Sequence, residues 1–115
     1  MRKTAAIAAL LGVLAAPALA HHGWNEYDQD TPVTLQGRIT KSGYEHPHGY
    51  VELEADGKVW LVVLAPPSRM KNRGLPPEDL TAGTSARVEG YRKRSDPAEL
   101  RAERITVNGK TVELR

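Results

Sequence analysis

The chain has 115 residues, 40% of them hydrophobic and 26% charged, which gives it room for one modest core and no more. It contains no cysteine, which excludes disulfides, thiolate metal sites, cysteine nucleophiles and thioether-linked haem, so any metal must be held by nitrogen or oxygen. Its 16 basic residues exceed its 14 acidic ones only by Arg2 and Lys3 near the start, so the rest is balanced and lacks the clustered positive charge that nucleic-acid binding needs.

Residues 1–20 have the pattern of a secretory signal peptide. Arg2 and Lys3 supply the positive end, residues 5–14 are apolar, and Ala18-Leu19-Ala20 presents small residues where a signal peptidase reads. The apolar run is shorter than the about 20 residues a transmembrane helix needs, so no membrane span is expected after cleavage. The reading is a periplasmic or secreted protein starting at His21. A cut after Ala18 would instead leave Leu19-Ala20-His21 at the front.

Residues 21–32 are polar and aromatic and read as an N-terminal arm, followed by a single domain over 33–115. Residues 33–40 alternate, with Val33, Leu35, Gly37 and Ile39 on one side, as a half-buried strand does. Residues 50–54 alternate again. Asp56-Gly57 marks a hairpin turn into residues 59–64, which are apolar on both faces and read as the most buried strand. Pro66-Pro67 ends that strand. A short helix is expected from Pro67 or Ser68 until Gly74 stops it, with another helical turn near Pro76 to Leu80. Residues 86–91 alternate as a strand. Residues 92–101, charged and containing Asp96-Pro97, read as an exposed loop. Residues 102–107 and 110–114 flank Asn108-Gly109, a second two-residue hairpin turn.

Three strands, a short helical link and two or three further strands make an all-β protein. The order predicts a small β-barrel of OB-like Greek-key type, with five to six strands and the helical link between strands 3 and 4. A small open β-sandwich is the alternative. The expected core is Val33, Leu35, Ile39, Leu53, Leu61, Val63, Val88, Ile105 and Val107.

Several segments carry a resemblance. His21-His22-Gly23-Trp24, His46-Pro47-His48, Pro66-Pro67-Ser68-Arg69, Gly74-Leu75, Val88-Glu89-Gly90-Tyr91 and Arg101-Ala102-Glu103-Arg104-Ile105-Thr106 together resemble a family of small exported bacterial proteins of unknown function. The resemblance covers nearly all of the chain after the leader. It implies export and a compact β domain, and it assigns no activity.

The chemical lead is histidine. All four, His21, His22, His46 and His48, fall between residues 21 and 48. After cleavage at Ala20, the His21 α-amine and ring would chelate one ion, and a second imidazole would complete a three-nitrogen site of the kind that suits Cu(II). His46-Pro47-His48 supplies the partner, because residues i and i+2 of extended backbone face the same way. A terminal His-His that is merely solvated, with His46 and His48 in a connecting turn, is the plainer reading of the same residues. Copper is thus the candidate cofactor, with His21, His22, His46 and His48 as candidate ligands. A periplasmic protein partner is the other candidate association.

The remaining features have ordinary explanations. Trp24, Tyr27, Tyr44, Tyr50 and Trp60 suit core packing or a stacking surface on an OB-like barrel. Arg69, Lys71 and Arg73, and then Arg92, Lys93 and Arg94, read as solvated faces with the capacity to dock an anionic partner. Ser68 and Ser85 lack any nucleophile-elbow context, and no spacing pairs two carboxylates. The sequence therefore reads as a non-enzymatic protein that binds a metal, or as an OB-like module for another ligand or partner.

Overall fold

In the computed structural model, residues 23–115 are described. Trp24–Glu26 form a 3-10 turn, and the chain then enters β1 (Tyr27–Gly43), β2 (Tyr50–Ala55) and β3 (Lys58–Val63). A helix, α1 (Pro67–Asn72), and a 3-10 turn (Pro77–Leu80) lead to β4 (Ser85–Lys93), β5 (Asp96–Val107) and β6 (Lys110–Glu113).

The strands pair in the order β3-β2-β1-β4-β5-β6. A parallel pairing of β3 with β5, Leu61↔Glu99 through Val63↔Arg101, closes the first five into a barrel. The sixth strand extends β5 antiparallel outside the closed ring. This is the OB-like barrel, with α1 between β3 and β4 as expected.

Local chemistry explains the closure. Both hairpins use the expected turns, with positive φ at Asp56 and Gly57 and again at Asn108 and Gly109, the conformation that two-residue hairpin turns demand. The 17-residue β1 serves β4 with one half and β2 with the other. Register shifts between Tyr27 and Pro32 and between Ile39 and Lys41 bend it as bulges do. Gly37 and Gly90 sit where a Cβ would run into the backbone of Glu54 and of Arg101, so the absent side chain allows the close approach a tightly curved sheet needs.

The core is Leu35, Ile39, Val51, Leu53, Trp60, Val62, Leu64, Val88, Leu100, Ile105, Val107 and their neighbours. Met70 of α1, with Leu75 and Leu80 from the segment that follows, belongs to the same cluster. Pro67 starts α1 at a position where a missing N–H costs nothing. Tyr44 ties this region down by donating its hydroxyl to the Leu75 carbonyl at 2.6 Å. Trp60 is buried, donates Nε1–H to the Ala55 carbonyl, and carries Lys58 Nζ 4.0 Å and Arg92 Cζ 5.4 Å from its ring centroid.

Four expectations need correction. Strand β1 begins at Tyr27, so residues 27–32, expected in an irregular arm, are strand, and the Tyr27 side chain is fully buried. Residues 96–101, expected in an exposed loop, open β5, with Leu100 and Arg101 buried. Pro97 is tolerated because it stands second in its strand, where a missing ladder donor matters least. On β3 the inward residues are Trp60 and Val62, whereas Leu61 is 38% exposed and Val63 half-buried. With both faces apolar, the sequence left the phase of this strand undetermined. Val33 packs against the core only in part.

Candidate ligand-binding groove

Period-two geometry sends alternate residues of β2 and β3 outward, and the pairing lines them up. One cross-strand row runs Lys41, Glu52, Leu61, Glu99 over β1, β2, β3 and β5. The next row runs Gly43, Tyr50, Val63, Arg101. Paired residues share a face, so these rows form a floor of apolar and aromatic side chains flanked by charges. Gly43 has no side chain to obstruct the Tyr50 ring, which passes through the space a Cβ there would fill.

The connection between β1 and β2 forms one wall with Pro47, His48 and Gly49. Gly49 is fixed by bonding in both directions, its N–H to the Ala65 carbonyl and its carbonyl to the Leu64 N–H, each at 2.9 Å. Tyr27 and Lys93 complete a groove of about 480 Å³.

The Glu99 carboxylate is held rigidly. The Tyr27 hydroxyl donates to Oε2 at 2.6 Å, and Lys93 Nζ lies 3.7 Å from the same oxygen. The Glu99 side chain is only 13% exposed. Burial raises the Tyr27 phenol far above its ordinary range, and the bond to Glu99 and that residue's negative charge raise it further.

Arg101 stands next to the groove wall, with Nη2 3.3 Å from His48 Nε2. Its Cζ lies 4.5 Å from the Trp24 ring centroid, and that of Arg115 lies 4.2 Å from the same ring, while Tyr91 meets Trp24 edge-on. Arg101 is 6% exposed. Burial lowers its pKa, and the nearby Arg69 and Arg115 act in the same direction.

The four candidate ligands separate as follows. His21 and His22 lie outside the described residues. His46 is exposed at a bend, and His48 is half-buried against Arg101. Among the described residues, no three His, Asp or Glu side chains come together as a metal-holding group. Sequence reasoning missed Tyr27, Leu61, Lys93, Glu99 and Arg101 as members of one site. The alternation of Glu99 and Arg101 with Leu100 and Ala102 was the available signal, masked by the preceding Asp96-Pro97.

Among the described residues no helix is long and apolar enough to cross a membrane. No curated protein sequence matches the chain. Among solved structures it is similar to part of a crystal structure of TiaS in complex with an isoleucine tRNA and ATP, with a TM-score of 0.53 and 21% identity over 77% of this chain. It spans 20% of that protein, and at such identity the likeness shows the fold alone. One family model, described as a family of unknown function (DUF6152), matches residues 9–100, and the chain belongs to that family.

Proposed function

We propose that this protein is an exported, periplasmic binding module that takes a small, partly apolar ligand in the groove on the outer face of β2, β3 and β5. The observation that carries this reading is Leu61. It is 38% exposed, lies in a groove of about 480 Å³, and is flanked in its row by Glu52 and Glu99. Pockets of this size with an apolar floor and a few fixed polar groups are the usual form of a ligand site. The groove also occupies the strand 2–3 face on which OB-like barrels hold ligands. The leader pattern of residues 1–20 supports export. Nile red, a neutral dye that brightens in apolar surroundings, tests the groove. Its fluorescence should rise with the native protein and fall back with Leu61→Lys. Equal fluorescence with both proteins would remove the reading.

A second reading is a transition-metal site, and the docking of Trp24 favours it. Trp24 packs on Arg101, and Arg101 touches His48. His22 and His21 precede Trp24 by two and three residues in the sequence. A site formed by the His21 amine and ring, His22, and His48 or the neighbouring His46 would have a nitrogen-only ligand set that suits Cu(II). Loading through His48 Nε2 requires Arg101 to yield its contact. Copper titration of protein starting at His21, read by electron paramagnetic resonance, should give tight binding that one added N-terminal residue weakens, because the amine becomes an amide. Identical spectra and affinity for the two forms would exclude the terminal amine.

A further inference from the structure

We propose that the ligand of this groove is a short neutral oligosaccharide, seated with the apolar face of a sugar ring on Tyr50, Leu61 and Val63. This inference rests on the groove being a binding site and names what that site takes.

Three observations select the class. The first is charge. The groove is lined by Lys41, Lys93 and His48 and by the carboxylates of Glu52 and Glu99. Its two lysines and two carboxylates cancel, so a polyanion would meet Glu52 and Glu99, and a polycation would meet Lys41 and Lys93. A ligand bearing many hydroxyls and no net charge suits every one of these groups, because each hydroxyl both donates and accepts.

The second is the arrangement around Leu61. In the row Lys41, Glu52, Leu61, Glu99, an acceptor stands on each side of the leucine. Adjacent strands are about 4.8 Å apart, so the two glutamate backbones are roughly 10 Å apart across it. A six-membered ring lying on the leucine presents its equatorial hydroxyls sideways, toward those carboxylates. The 2.6 Å Tyr27 bond and the Lys93 contact fix Glu99 before any ligand arrives, which reduces the ordering cost of binding.

The third is the aromatic residue. Tyr50 adjoins Val63 in the next row, and its ring lies across Gly43. Aromatic side chains beside aliphatic ones supply the flat apolar surface that the C–H face of a sugar covers, and each hydroxyl displaced from water regains a partner at the rim.

The test is an amide-resolved nuclear magnetic resonance titration of isotopically labelled protein with cellotriose, maltotriose and chitotriose. Spermine and a sulfated trisaccharide serve as charged comparators. At least one neutral sugar should shift the signals of Tyr50, Leu61, Val63 and Glu99 in a saturable manner. Both Leu61→Lys and Glu99→Gln should weaken that binding tenfold or more, with the remaining spectrum showing each variant folded. Stronger perturbation of these signals by either charged comparator overturns the choice of a neutral ligand. If all three neutral sugars leave the signals unmoved while Nile red still reports on Leu61, the groove stands and the saccharide is wrong. If the dye also fails, both readings fall together.

Discussion

The two faces of β3 are built from the same kinds of residue and meet opposite fates. Inward, Trp60 and Val62 are buried, and Leu64 just beyond the strand joins them. Outward, Val59 is 51% and Leu61 38% exposed. A strand that is apolar on both faces is normally covered on both sides by other layers. Here the barrel is one closed sheet, and among the described residues no second layer covers the outward row. The inner face thus belongs to stability. The outer row, set among Glu52, Glu99 and Tyr50, is the one the proposed function assigns to recognition.

Truncation separates the two faces most sharply. Trp60→Ala should cost about 3–5 kcal/mol in urea unfolding, the usual range for a buried tryptophan, because it empties the core and removes the bond to the Ala55 carbonyl. Leu61→Ala, one residue away, should cost about 1 kcal/mol or less, as surface changes do. A loss at Leu61 as large as that at Trp60 would break the comparison.

Tyr27 is buried outside the inner core cluster and lines the groove, where its hydroxyl holds the outer-face Glu99. Tyr27→Phe should cost about 1.5–3 kcal/mol, the range for a hydrogen bond to a charged acceptor. The phenol is raised above its unfolded value. The stability it contributes is therefore complete below tyrosine's ordinary pKa of about 10 and is lost as pH rises from there toward the higher folded-state value. Unfolding free energies measured from pH 8 upward should show wild type and Tyr27→Phe converging above about pH 10. Parallel curves would contradict this.

Tyr44→Phe is the smallest change. It removes the bond to the Leu75 carbonyl and should cost about 1 kcal/mol. Leu61-dependent dye binding should be unchanged in that variant.

Much of the fold was legible because local signals agreed. Alternation at Leu35, Ile39, Val51 and Leu53, positive-φ turns at Asp56-Gly57 and Asn108-Gly109, and Pro67 and Gly74 around the helix all pointed to one topology. The failures have physical causes. Leu61 and Val63 were assigned inward because β3 offers no polar face to set its phase. Residues 96–101 were taken for a loop because Pro97 and the charges outweighed the single alternation Glu99, Leu100, Arg101, Ala102. Of the basic clusters read as solvated faces, Lys71, Arg73, Arg92 and Arg94 are exposed, while Arg69 and Lys93 are half-buried, Arg69 donating to the Leu114 carbonyl and Lys93 facing Glu99. Of the groove's lining, His48 was singled out in the sequence as a candidate metal ligand, and Tyr27 and Tyr50 for packing or stacking. Glu99 and Tyr27, 72 residues apart in the chain, are brought together by the pairing of β1 with β4, where Tyr27 faces Lys93, and of β4 with β5, and the first of these long-range pairings is encoded by no local pattern.

The division of labour on β3 is tested most directly by Leu61→Lys, with urea unfolding and titration with a neutral trisaccharide that shifts the wild-type signals performed on the same protein. The expected result is a midpoint equal to that of the wild type together with loss of the shifts at Tyr50 and Glu99. A midpoint that falls as far as that of Trp60→Ala, or trisaccharide shifts that persist undiminished at Tyr50 and Glu99, would contradict it.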